Sequence, residues 1–131
     1  MRYNCRDPQG KKKDMAEITH EDLGEDLRRI VITGRLDTPG TNAITEPLRE
    51  LAAAPKRGVI VDLTGVEFMA SIGIGQLIAN AQAVKARGGH LVLLASGTSG
   101  VMMSLKMAGL DRLLPVFQYP HEAHLAATRG F

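Results

Sequence analysis

Cysteine is nearly absent from the chain. Cys5 stands alone, so no disulfide can close within one copy and no cysteine cluster offers a structural zinc site, as expected for a protein of a reducing compartment. Tryptophan is missing altogether, and only 2 tyrosines and 3 phenylalanines are present. A large excess of one sign of charge is lacking as well. The formal net charge of +2 arises in the first fourteen residues, where Arg2, Arg6, Lys11, Lys12 and Lys13 outweigh Asp7 and Asp14, leaving the remainder slightly acidic. A body without a basic stripe or stacking aromatics lacks what nucleic-acid recognition needs. No apolar run approaches the roughly 20 residues that cross a bilayer, and no hydrophobic segment of signal-peptide type follows the basic start. These absences predict a cytoplasmic protein that neither inserts into membranes nor binds nucleic acid.

The 131 residues suit one domain able to bury roughly two-thirds of its unfolded surface. Residues 1–14 are polar, contain Pro8 and Gly10 and show no apolar period, which predicts a flexible basic tail ahead of a domain over 15–131. Residues 15–20 read as a short edge strand, 21–25 as a turn around Gly24, and the β-branched 29–36 as a longer strand. The Asp37-Thr38-Pro39-Gly40 stretch breaks that strand. A helix is expected next, with Ile44, Leu48 and Leu51 on one face, Thr41 or Asn42 as its cap and Pro47 near its first turn.

Gly58 to Leu63 is apolar without polar alternation, the pattern of a strand covered on both faces. A second helix is predicted over 71–87, with Ile74, Leu77, Ile78, Ala81 and Val84 inward and Gly88-Gly89 as its stop. Residues 91–94 are the next buried strand. A third helix is predicted over 99–108, with Val101, Met102, Leu105 and Ala108 inward and Gly109 as its end. Residues 113–117 read as an edge strand because Pro115 withholds an N–H, and Pro120 opens a last helix through residue 127. Strands alternating with helices imply parallel crossovers and an α/β fold.

Ser71 lies where the central strand gives way to the second helix. Its hydroxyl is placed to cap that helix, a role worth about 1 kcal/mol that suffices on local features alone. The same position suits a phosphate, which would meet helix N–H groups and the positive end of the helix dipole. Gly73 and Gly75 each cost a helix about 1 kcal/mol against alanine, so close approach of another backbone or of a partner surface is expected there.

Several other patterns are set aside. His121 and His124 flank Glu122 at helical spacing but lack a third metal ligand. Gly73-x-Gly75 and Gly97-x-x-Gly100 lack both a dinucleotide fingerprint and a Walker lysine. Ser71 has no Gly-x-Ser-x-Gly elbow, so catalysis is not expected. Met102, Met103 and Met107 read as packing.

Taken in order, Gly34-Arg35-Leu36-Asp37, residues 59–66 (Val-Ile-Val-Asp-Leu-Thr-Gly-Val), Phe68-Met69-Ala70-Ser71-Ile72-Gly73, residues 88–93 (Gly-Gly-His-Leu-Val-Leu) and residues 109–114 (Gly-Leu-Asp-Arg-Leu-Leu) resemble the STAS domain of anti-sigma-factor antagonists. The resemblance spans about residues 15–128. It implies a single α/β domain with a mixed, mostly parallel sheet of about five strands and about four helices mostly on one face. It also implies a regulatory, non-enzymatic protein without cofactor or metal, whose partner is an anti-sigma factor that is also a serine-protein kinase. In that family the serine matching Ser71 is phosphorylated, and the unmodified form holds the anti-sigma factor. The matching partner surface comprises Asp37 and Thr38, in a loop beside Ser71, with Ala70, Ser71, Ile72, Gly73 and Gly75.

Two positions depart from the family's Asp-Ser-Ser-Gly. Ala70 removes a carboxylate that would repel a phosphate and that a kinase could read, and Ile72 replaces a hydroxyl with apolar area. A constitutive scaffold, or an accessory subunit of a signalling or transporter complex in which Ser71 is only a cap, is the alternative these residues leave open.

Overall fold

The computed structural model describes residues 2–4, 16–96 and 100–129. Its strands are β1 (Arg2–Asn4), β2 (Glu17–Asp22), β3 (Leu27–Leu36), β4 (Gly58–Met69), β5 (His90–Leu94) and β6 (Val116–Phe117). Its helices are α1 (Thr38–Ala52), α2 (Ser71–Ala86), α3 (Gly100–Met107) and α4 (Pro120–Arg129), with a short 3-10 turn at Leu110–Arg112. The strands form one sheet in the order β1-β2-β3-β4-β5-β6. β1, β2 and β3 pair antiparallel, and β3 through β6 pair parallel, so the sheet is mixed and mostly parallel.

The continuous apolar runs of β4 and β5 are explained by cover on both faces. Val59, Val61, Leu63, Leu91 and Leu93 turn toward α1, α2 and α3, joining Ile30, Ile32, Leu36, Ile44, Leu48, Leu77, Val84 and Leu105 in the main core. Ile60, Val92 and Leu94 turn the other way, toward Ala123 and Ala127 of α4 and toward Leu27. Three helices therefore share one face, with α4 alone on the other.

Several elements differ from the reading of the sequence. β2 is not an edge strand, because Arg2–Asn4, expected within an unstructured tail, pairs with Glu17–Thr19. The rest of that tail, with Cys5, lies outside the described residues, as do Gly97 and Ser99. α1 begins earlier than its apolar period suggests. Asp37, not Thr41 or Asn42, caps it, its Oδ1 accepting the Gly40 N–H at 2.9 Å. Thr41 is buried in the first turns instead, and Pro47 lies well inside the helix. There proline removes the N–H that would have bonded the carbonyl four residues back.

α3 buries Val101, Met102 and Leu105 and leaves Met103 and Met107 exposed, while Ala108, expected inward, lies just beyond the helix and is exposed. Residues 113–115 are not strand. Leu110–Leu113 are wound into the 3-10 turn and its closing residue, and only Val116 and Phe117 extend β6. Pro115 still serves the sheet as an acceptor, its carbonyl receiving the Leu93 N–H at 3.0 Å.

Candidate functional site

β3 and β4 run parallel with Arg35 opposite Phe68 and Leu36 opposite Met69. The Ala70 N–H continues the ladder one step further, donating to the Leu36 carbonyl at 2.9 Å. Both strands then turn into helices at the same level. Asp37 opens α1 and Ala70 opens α2, so the two helix starts lie side by side at the carboxyl end of the sheet. Exposed backbone N–H groups and a positive dipole end are inherent to helix starts.

The ladder bond at Ala70 decides the role of Ser71. It holds Ala70 extended, with φ −89° and ψ 168°, which makes Ala70 the N-cap and Ser71 the first helical residue. No side chain caps α2. Ser71 is thus not the capping serine that its sequence context suggests, and its side chain is exposed. Thr38 likewise is the exposed first residue of α1 rather than part of a loop, while Asp37 is its cap.

The two glycines of the first turn separate clearly. Gly73 is buried, and a Cβ there would lie 3.2 Å from Leu36 Cβ and 3.4 Å from the Leu36 carbonyl oxygen and Met69 Cγ. The close backbone approach expected from the sequence is therefore real at Gly73. Gly75 is exposed, and a Cβ there would meet nothing within 4 Å. Gly75→Ala should consequently raise stability by about 0.5–1 kcal/mol, the helix propensity of alanine over glycine, in urea denaturation. No gain would mean that α2 is frayed through its first turn.

Around Ser71 the surface is partly apolar. Ile72 is 36% exposed and Phe68 41%. Arg35 lies over the Phe68 ring, its guanidinium carbon 4.5 Å from the centroid, and its Nε is 3.6 Å from Asp37 Oδ2. The sequence contains the Gly-Arg-Leu-Asp run and Phe68, but only the strand register shows that Arg35 and Phe68 meet.

Earlier on β4, opposite Val31 and Leu94, Asp62 is 1% exposed and links β4 to Arg29 of β3. Its Oδ1 accepts from the Thr64 N–H at 2.9 Å and the Thr64 hydroxyl at 2.6 Å, and its Oδ2 accepts from Arg29 Nε at 3.1 Å and also from Arg29 Nη2. Burial alone would push this carboxyl up. The Thr64 hydroxyl, Arg29 and the Thr64 backbone N–H outweigh burial and hold it below the usual carboxylate range. Nothing in the apolar run around Asp62 announces this anchor.

Among the described residues no three His, Cys, Asp or Glu side chains are grouped to hold a metal ion. No helix of the described residues is long and apolar enough to cross a membrane.

Comparison with known proteins agrees with this architecture. The family model described as the STAS domain matches residues 24–123. Among solved structures, an anti-sigma factor antagonist from Mycobacterium paratuberculosis superposes with a TM-score of 0.78 at 21% identity, covering 95% of this chain and 99% of its own. The Bacillus cell fate determinant SpoIIAA in its phosphorylated form gives a TM-score of 0.61 at 19% identity, covering 86% and 99%. The murine anion transporter Slc26a9 gives 0.62 at 15% identity over 88% of this chain but only 22% of the transporter. At these identities the likeness concerns the fold.

Proposed function

The chain belongs to the STAS domain family, and from that premise we propose that it is a non-enzymatic anti-sigma-factor antagonist acting in the cytoplasm. It binds an anti-sigma factor that is also a serine kinase, through the corner formed by Asp37, Thr38, Ala70, Ser71, Ile72, Gly73 and Gly75. Phosphorylation of Ser71 releases that partner. The observation that carries the reading is the exposure of Ser71 at the first position of α2, where its hydroxyl caps nothing. A hydroxyl so placed is open to a kinase. Once modified, it puts about −1.5 to −2 charges beside a surface that Ile72 and Phe68 make partly apolar. Such a charge opposes apolar docking by its desolvation cost.

Incubation with the purified partner kinase and ATP should place a single phosphate on Ser71, mapped by mass spectrometry and absent from Ser71→Ala. The phosphorylated protein should bind the partner at least tenfold more weakly in calorimetry. A phosphate on another residue, or none with the true partner, would remove the switch.

A second reading rests on Ile72, whose exposed apolar side chain suits permanent contact as well as regulated contact. In it the domain is a constitutive scaffold or an accessory subunit of a signalling or transporter complex, and Ser71 is never modified. Partner affinity that survives Ser71→Asp would favour this reading over the switch.

A further inference from the structure

The charge chemistry of this corner centres on Arg35. One face of its guanidinium rests on the Phe68 ring. Its pairing with Asp37 is loose, because 3.6 Å exceeds hydrogen-bond distance and both side chains are more than one-third exposed. Exposed ion pairs of this kind hold their partners weakly. Among the described residues no hydrogen bond from the guanidinium is formed, although it carries five N–H donors in a planar fork that matches phosphate oxygens. Stacking on a ring fixes the plane of such a fork while leaving its edges available.

Asp37 is held differently. Its Oδ1 is committed to the Gly40 N–H, so its negative charge stays at the start of α1, next to Ala70 and Ser71 across the Leu36 to Ala70 bond. A phosphate on Ser71 would therefore face a fixed carboxylate, with Glu67 exposed one residue before Phe68 as a second negative group. The strand register sets the cation Arg35 opposite Phe68, and its Nε lies 3.6 Å from Asp37 Oδ2 at the start of α1. We propose that Arg35 is the counter-ion for a phosphate on Ser71, offsetting Asp37 and turning its unused N–H edge toward the phosphate oxygens. The proposal rests on Ser71 being the phosphate-accepting residue of the corner.

The test separates the two ideas, because the phosphate is installed rather than transferred. Phosphoserine is incorporated at position 71 of the full chain by genetic code expansion, and its second ionisation, near pH 6 in a free phosphoserine, is followed by phosphorus NMR. In the otherwise native protein this ionisation should fall about half a pH unit below its value in Arg35→Gln, the order of effect expected of one exposed opposite charge in water-like surroundings. Arg35→Lys, which keeps the charge without the fork, should recover part of that difference. The Arg35 Nε–H resonance should shift as the phosphate titrates. Equal ionisation in the native protein and Arg35→Gln, with an unmoved Arg35 signal, would overturn the proposal whatever a kinase does. Failure of a kinase to modify Ser71 would instead strike the switch and leave this measurement standing.

Discussion

Asp62→Ala should lower the unfolding free energy by about 2–3 kcal/mol, read as a shift of the urea midpoint and a fall in Tm of roughly 8 °C for a domain of this size. Removing one partner of a buried ion pair usually costs about 3–5 kcal/mol, because the other charge is left uncompensated. Arg29 is 30% exposed, so it recovers some hydration and the loss is discounted accordingly. The two Thr64 donors lose their acceptor as well. A change below about 0.5 kcal/mol would show that water replaces the carboxylate without penalty.

Asp62→Asn adds a pH signature. Because the folded-state carboxyl is held below its ordinary value, its contribution is fully present above about pH 4, where the unfolded chain is also ionised. The contribution fades as pH falls through the lowered folded-state value. Denaturation of the native protein and Asp62→Asn should therefore differ most near neutrality and converge in acid. The anchor ties β3 to β4 within the strand pair whose far end places Asp37 next to Ala70 and Ser71.

Gly73→Val should cost about 2 kcal/mol, with the sign opposite to that of Gly75→Ala. Two of the atoms that a side chain at 73 would meet belong to the backbone or Cβ of Leu36, which is paired with Met69 and whose carbonyl accepts the Ala70 N–H, so they cannot swing aside. The first turn of α2 must then lift from the sheet and carry Ser71 with it. Gly73→Val should also slow phosphate transfer to Ser71, because the displaced turn carries the hydroxyl away from its place. Equal stability for Gly73→Val and the native chain would mean that this turn is not packed against β3.

Much of the architecture was legible because burial on both faces leaves a plain mark in the chain. Gly58 to Leu63 and Leu91 to Leu94 carry no polar alternation, and of the residues that the 3.6-residue period selects, Ile44, Leu48, Leu51, Leu77, Ala81 and Val84 are buried while Ile74 and Ile78 are partly so. The start of α1 was misplaced for a local reason. Asp37, Thr41 and Asn42 are all acceptable caps, and the choice among them depends on where β3 lets go, which is a tertiary matter. Ser71 was misassigned by one position on the same ground. A serine before a helix reads as a cap, but the ladder bond from Ala70 to Leu36 extends the strand one residue further. Arg35 over Phe68 and Arg29 on Asp62 were invisible, since each joins residues thirty-three apart whose opposition depends on a parallel register broken by irregularities near Thr33 and Arg35. The strand of residues 113–117 was overextended because Leu113 and Leu114 look β-forming, while the turn following Gly109, at φ +75°, consumes them.

The strand order of the sheet repeats the order of the chain. Every strand pairs with the one before it, so no later segment must be threaded between two that already touch. A chain leaving the ribosome can thus lengthen its sheet at a single growing edge, closing one connection at a time. The corner that presents Ser71 needs only β3, β4 and the starts of the helices that follow them, and it is within reach before β5 or α4 has been synthesised.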